Sequence, residues 1–178
     1  MRILYYILAA VLVASGCIIG GILFKKKRVL KYKNDIQKLF TSACMEKNIQ
    51  NYRIEYVKKD THDFYFEDAE NIYYIKVIYN FSNQEICINN AIKWQLRRLG
   101  EIKGTLSFVE GVEPLMRLDL ANTQKKEHKL FIIYPNVTAL LKVINECEMV
   151  FVYPDTDVYG AQVISYKKLE ENLDLLEV

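Results

Sequence analysis

The sequence predicts an α/β or α+β fold class, in which an N-terminal transmembrane helix is followed by one domain with a mixed β-sheet flanked by helices. Three observations predict it. Residues 3–24 form an uncharged apolar run, residues 51–89 hold short segments of alternating polarity, and residues 129–177 alternate strand-like with helix-like segments. The expected organisation is a transmembrane anchor with a basic collar over residues 1–28 and a cytosolic domain over residues 29–178. That domain, about 150 residues long, is large enough to bury its own core.

The N-terminal run from Ile3 to Phe24 contains 22 residues without a charge or a proline. As a helix it measures roughly 33 Å, slightly more than the hydrocarbon core of a bilayer. Cations directly after such a run keep their side of the membrane in the cytosol. The cations predicted to contact the membrane surface are Lys25, Lys26, Lys27 and Arg28. We therefore expect one crossing of the plasma membrane, with the lipid bilayer as the partner of residues 3–24, the N-terminus outside and the C-terminus in the cytoplasm.

An alternative interpretation of the same run starts from Val13-Ala14-Ser15-Gly16-Cys17, which resembles the lipobox of bacterial lipoproteins. That resemblance implies lipidation of Cys17 and a binding domain on the outer side of the membrane. The other cysteines form no CxxC pair and are odd in number, which favours reduced thiols in a cytosol. They are Cys44, Cys87 and Cys147.

The charge of the chain is concentrated beside the apolar run. Setting aside the six cations between residues 25 and 33 changes the net charge from +2 to about −4, that is +2 − 6. A mildly acidic domain argues against nucleic-acid binding driven by bulk charge. The charge balance leaves open a protein or nucleic-acid partner that binds a local surface of the domain.

The first half of the domain combines a helix with a β-meander. Apolar residues at three- and four-residue steps predict an amphipathic helix from Val29 to about Asn48. Alternating polarity predicts a strand over residues 51–59, a hairpin of residues 63–67 and 72–79 around the polar "DAEN", and a further strand over residues 85–89. Helical spacing then predicts a short helix over residues 91–99.

The second half begins with an ambiguous segment, residues 100–128. Residues 105–112 fit a strand, residues 114–121 fit a strand or a helix, and residues 122–128 resemble an exposed loop. Residues 129–135 are typical of a buried strand, and residues 136–148 predict a helix with Asn136 as its N-cap. Another strand over residues 149–154 and a terminal helix over residues 167–177 complete the order. Strand, helix and strand in succession predict a parallel crossover.

The sequence contains no phosphate-binding glycine motif, no HExxH and no GxSxG. Its two histidines, His62 and His128, each stand alone in a polar stretch, which predicts exposed side chains without a metal or catalytic role. Acidic residues are densest at Asp60, Asp63, Glu67, Asp68 and Glu70. Paired carboxylates of this kind can hold Mg²⁺ for phosphodiester cleavage, and a nearby lysine can activate the attacking water.

The helix, the strand and the acid at the start of the hairpin resemble the core of the PD-(D/E)xK nuclease superfamily. More narrowly, the segment is similar to the nuclease-related domain family, whose hairpin carries an aspartate followed by a strand with an I-E-x-K tetrad. The resemblance implies that Asp63 is the first metal-binding residue and that Ile75-Lys76-Val77-Ile78 occupies the tetrad. It also implies a helix after the meander, a counterpart for the family's tryptophan at Trp94, and a closing strand and helix within residues 160–173.

Two departures from the family pattern shape the functional expectation. Lys76 stands where the glutamate belongs, so a metal ion would have one carboxylate ligand fewer. Ile78 stands where the lysine belongs, so the attacking water would lack the cation that activates it. These departures favour a membrane-anchored, non-catalytic binding or interaction module without a cofactor. In that interpretation Asp68 and Glu70 are turn residues, and Lys76 projects from an edge or solvent face.

The alternative is a membrane-tethered nuclease dependent on Mg²⁺ or Mn²⁺. Its catalytic residues would be Asp63, Glu67 and Lys76, with Asp63 as the metal ligand. A relocated carboxylate such as Glu67 or Glu85 would then complete the site.

Overall fold

The computed structural model describes residues 21, 26–80, 82–97, 107–121 and 123–175. The chain forms two compact units, Met1–Asp35 and Ile36–Val178. In the first unit, Gly21 and residues 26–35 are described, and they are helical.

The second unit begins with helix α1, residues 36–46. Its described residues continue with β1 (Arg53–Tyr56), β2 (Phe64–Glu67), β3 (Asn71–Tyr79), β4 (Glu85–Ile88), β5 (Trp94–Arg97), β6 (Ser107–Phe108), α2 (Val112–Met116), β7 (Lys126–Tyr134), β8 (Leu140–Asn145), β9 (Glu148–Phe151), β10 (Gln162–Ser165), α3 (Tyr166–Glu171) and a 3₁₀ turn (Leu173–Leu175).

The first sheet has the strand order β1-β2-β3-β7-β10. β1, β2 and β3 form an antiparallel meander, whereas β3, β7 and β10 run parallel. The β3–β7 ladder is the longest, with nine paired residues from Asn71↔Lys126 to Tyr79↔Tyr134. The sheet is therefore mixed. Between β3 and β7, and again between β7 and β10, the chain forms strands of the second sheet.

The second sheet has the strand order β6-β5-β4-β8-β9. β4 pairs parallel with β8, and the other neighbours are antiparallel. Asn80, directly after β3, links the loops that feed both sheets, because its Nδ2 donates to the carbonyls of Gln84 (2.8 Å) and Asn136 (3.0 Å).

Helix α1 covers one face of the first sheet. Its apolar stripe is almost completely buried, and the ring of Phe40 lies 5.0 Å from that of Phe66 on β2. The stripe consists of Ile36, Leu39, Phe40, Ala43 and Cys44. The helix ends at Glu46, and Asn48 in the following turn has a positive φ of 56° that lets the Ile49 amide donate to the Cys44 carbonyl. The predicted amphipathic helix is thus confirmed for its described residues.

The opposite face of the first sheet packs against the second sheet around a shared apolar cluster. Ile78, Phe131 and Val163 contribute from the first sheet, and Trp94 and Leu115 come from β5 and α2. Trp94 is fully buried, with its ring centroid 4.7 Å from that of Phe131. The apolar cluster covers only part of β3 and β7. The rest of that face carries the charged side chains described below.

The predicted fold class needs correction. The described chain is α+β with two mixed sheets, where one sheet was predicted. None of the described helices combines the length and the apolar character needed to cross a bilayer. Apart from Gly21, the predicted transmembrane run of residues 3–24 lies outside the described residues.

Two predicted helices are strands. Residues 94–97 form β5, because Asn90 accepts the amides of Ile92 and Lys93 in a turn that folds β5 back onto β4. Residues 140–145 form β8, which pairs parallel with β4 and antiparallel with β9. Asn136 is therefore not a helix cap, and the predicted strand-helix-strand crossover is absent from this part of the described chain.

Candidate functional site

The backbone of Asp63 is fixed directly before β2. Its amide donates to the Ile75 carbonyl on β3 (2.8 Å), and its carbonyl accepts the amides of Val57 (2.9 Å) and Lys58 (3.2 Å). These bonds extend the pairing of β2 with both neighbouring strands by one residue. The aspartate is therefore held on a rigid part of the sheet.

The carboxylate of Asp63 is engaged on both oxygens. Oδ2 accepts the amide of Val77 at 2.9 Å, and Oδ1 lies 3.5 Å from the Lys76 ammonium. That ammonium also donates to the Asp60 carbonyl at 3.3 Å. The side chains of Lys76 and Asp63 are only 14% and 13% exposed, so the pair is largely removed from water.

Gly111 closes the other side of Lys76. This glycine precedes α2 with a φ of +79°, in the left-handed region that favours glycine. A Cβ atom there would lie 2.7 Å from Cε of Lys76. The lysine stem thus runs between the sheet and the start of α2, and the prediction that Lys76 projects from an edge or solvent face is wrong.

Glu67 takes part in a separate polar cluster. It lies four residues from Asp63 along the extended strand, roughly 13 Å away. Its oxygens accept the Lys125 ammonium at 2.6 Å and the Tyr65 hydroxyl at 2.9 Å. The hydrogen bond from Lys125, followed by that from Tyr65, lowers the pKa of Glu67. Burial, followed by the hydrogen bond to Glu67, raises the pKa of Tyr65 to about 12. The structure does not bring Glu67 and Asp63 together.

The other predicted carboxylates have local roles. Glu85 lies on β4 of the second sheet opposite Arg97. Oδ1 of Asp68 accepts the amides of Glu70 (2.7 Å) and Asn71 (2.6 Å), which confirms the predicted turn between β2 and β3. Across the described residues, no three His, Cys, Asp or Glu side chains converge on a point suited to a metal ion.

Both histidines differ from their predicted exposure. His62 is 4% exposed, bonds through Nδ1 to the Thr61 hydroxyl (2.8 Å) and packs edge-on against Tyr74. Burial, followed by the charges of Lys59 and Lys76, lowers its pKa. His128 stacks on Tyr73 at 4.5 Å. His128 is half-buried, and the polar sequence neighbours of both histidines conceal this protection, which the sheet creates.

The residues predicted to contact a membrane lie only partly in the described chain. Lys26 and Lys27 are exposed helical residues and Arg28 is half-buried, while Lys25 and Cys17 lie outside the described residues. The membrane-surface contact, the lipid partner, the localisation and the lipoprotein alternative stay predictions.

Sequence reasoning missed two features of this unit. Gly111 lies in the ambiguous segment, within residues 105–112 that fit a strand, and its signal is that glycine precedes a short apolar run. The second feature is the exposure of β9. A strand was predicted over residues 149–154, and "EMVF" has the composition of a buried strand, yet all four residues are exposed.

Comparisons with protein families, characterised proteins and solved structures give no match for this chain.

Proposed function

We propose that the chain is a non-catalytic binding or interaction module of nuclease-like fold. The observation that carries this proposal is the position of the Lys76 ammonium beside Asp63. The family resemblance implies a divalent cation and a second carboxylate at this place. A permanent internal cation is there instead, 3.5 Å from Oδ1.

The electrostatics of the pair support an inert site. Affinity for Mg²⁺ depends on the number and geometry of anionic ligands, and Asp63 supplies one carboxylate whose second oxygen already accepts the Val77 amide. A metal ion beside the ammonium would also meet like-charge repulsion in a poorly solvated place. Gly111 restricts the space into which Lys76 could withdraw.

The arrangement of the first sheet supports the resemblance in part. Helix α1, strand β1 and the hairpin that starts with Asp63 follow the implied order, and β10 with α3 provides a closing strand and helix. The implied helix after the meander is replaced by β5, which begins with Trp94. The second sheet is additional to the pattern on which the resemblance depends.

A nuclease assay tests the proposal. The purified full-length chain is incubated with single- and double-stranded DNA and with RNA, in Mg²⁺ or Mn²⁺, beside the Asp63→Ala variant. We expect no cleavage beyond the buffer control for either protein. Metal-dependent cleavage by the wild type that disappears in Asp63→Ala would overturn the proposal.

The Lys76→Glu variant serves as a matched comparison. It replaces the internal cation by a second carboxylate beside Asp63. We expect Mn²⁺ to raise the melting temperature of Lys76→Glu and to leave that of the wild type unchanged, because ligand binding stabilises the folded state. Equal shifts in both proteins would show that Lys76 does not exclude the ion.

A further inference from the structure

β9 is an edge strand of the second sheet with exposed apolar side chains. Met149 and Phe151 are 49% and 60% exposed, and Tyr153 just beyond the strand is also exposed. Within the described part of the chain, β8 is the one strand that pairs with β9. An apolar strand with a free edge is a template for pairing with another chain.

The hydrogen-bond pattern identifies the free backbone groups. The Val152 amide donates to the Leu140 carbonyl at 2.9 Å, so these two residues form a hydrogen-bonded pair of the antiparallel ladder. Such pairs alternate with pairs whose N–H and C=O groups point away from each other. Phe151, paired with Leu141, belongs to the second kind. Its backbone N–H and C=O therefore point to the unpaired side of β9.

The side chains of β9 determine what an added strand would meet. Val152 belongs to the core cluster between the sheets, and alternation places Phe151 and Met149 on the opposite face. There, Sδ of Met149 lies 3.7 Å from Sγ of Cys87 on β4. Because cross-strand neighbours pack on each other, an added strand needs apolar side chains at alternate positions to cover Met149 and Phe151.

The segment that contains β9 is acidic. Residues 140–161 contain four acidic side chains and one lysine, a net charge of −3. One cation from another strand, Arg97 on β5, lies with Nη1 3.8 Å from Sδ of Met149, so the balance with this arginine is −3 + 1, or −2. The acids are all exposed, and they are Glu146, Glu148, Asp155 and Asp157. The lysine, Lys142, is directed at the Asp157 carbonyl (3.4 Å) and the Tyr159 ring (4.4 Å). The field at this edge favours a positively charged partner.

We propose that β9 is a docking edge for an extended basic segment of another protein, which adds to the second sheet as a further strand. Its main chain bonds to the outward groups of Phe151, and its apolar side chains cover Met149 and Phe151. Lysine or arginine side chains at the intervening positions face the acidic surroundings. This mode of recognition takes affinity from main-chain bonds and specificity from alternate side chains. The inference rests on the proposed binding role and names its partner class.

The test uses a short fluorescent peptide in which valine and lysine alternate, titrated with the purified full-length chain and followed by anisotropy. We expect saturable binding that weakens with added salt. Phe151→Pro should weaken it at least about tenfold, because proline removes one outward donor and the apolar contact and leaves the bonds to β8 in place. The variant carries no charge change, so purely electrostatic association would be unaffected.

Further variants keep the test decisive. Phe108→Ala removes an exposed apolar side chain at the other edge of the same sheet and should leave the affinity unchanged. Glu148→Lys with Asp155→Lys should weaken binding at least about tenfold through charge alone. Phe151→Ser, which also leaves the charge unchanged, replaces Phe151→Pro as the edge variant if the proline variant fails to fold.

Three outcomes would overturn the inference. The first is no binding of the valine–lysine peptide, and the second is equal affinity of the wild type and the Phe151 edge variant. The third is a wild-type dimer that the same edge variant dissociates, which would make a second copy of the chain the occupant. None of these affects the proposed function, which only metal-dependent cleavage lost in Asp63→Ala overturns.

Discussion

Around Asp63, each charged side chain depends on its neighbours for its position. The Lys76 ammonium neutralises the Asp63 carboxylate, and the same ammonium is one of two cations that disfavour a charge on His62. Lys76 therefore has two effects at this place. It forms an internal ion pair with Asp63, and it adds to the burial that already disfavours a charge on His62.

The lowered pKa of His62 predicts how stability depends on pH. The unfolded chain binds a proton near pH 6.5, whereas the folded chain resists it, so the free energy of unfolding decreases as the pH falls below about 6.5. For this single proton the slope is at most about 1.4 kcal/mol per pH unit. Urea titrations between neutral and mildly acidic pH measure it.

The His62→Asn variant is the control, because its amide can still bond to the Thr61 hydroxyl and does not titrate. We expect a shallower decrease of stability in this variant than in the wild type. Parallel curves for the two proteins would show that His62 does not take up the proton.

At the scale of elements, α2 meets β3 through one glycine and one lysine. Gly111→Ala places a side chain in the left-handed region, at a cost of about 1–2 kcal/mol, and forces the Lys76 stem to move. In a Lys76→Ala background only the backbone cost remains. A double-mutant cycle in urea should therefore give a coupling energy of at least about 0.5 kcal/mol. Additive effects would mean that α2 and Lys76 do not press on each other.

The elements that sequence patterns predict correctly are those with local partners. α1 has an apolar stripe of helical period, and β1, β2 and β3 are joined by short turns such as that of Asp68. β5 and β8 have apolar residues at helical spacing, yet both pair with β4. For β8 that partner lies more than fifty residues earlier in the chain. Pairing over that distance leaves no signal in a local pattern.

At the scale of the whole unit, residues 36–178, the two sheets are interdependent. Between β3 and β7 the chain visits β4, β5, β6 and α2, and between β7 and β10 it visits β8 and β9. Loss of the second sheet would leave two long loops in the first sheet and would expose the shared apolar cluster. We therefore expect both sheets to unfold in one cooperative step.

Trp94, the single tryptophan, reports on this step because it is fully buried between the sheets. Its emission in the native chain should lie at shorter wavelength than in the unfolded chain and should resist quenching by acrylamide. Native-state hydrogen exchange should give similar opening free energies for amides of β7 and β8. Earlier exchange throughout β8, at denaturant concentrations where β7 and Trp94 are unchanged, would show that the sheets separate.

The sequence by itself determined α1, the first meander with its Asp68 turn, and the acidic balance beyond the basic collar, because these depend on residue type and near neighbours. Only the tertiary structure decided that the strands divide into two sheets, that β5 and β8 are strands, and that His62 is buried. It also decided that Lys76 lies between Asp63 and Gly111, since these three residues come from separate segments of the chain. An ion pair needs its two charged groups close together, and the distance between the Lys76 ammonium and the Asp63 carboxylate is set by packing between those segments.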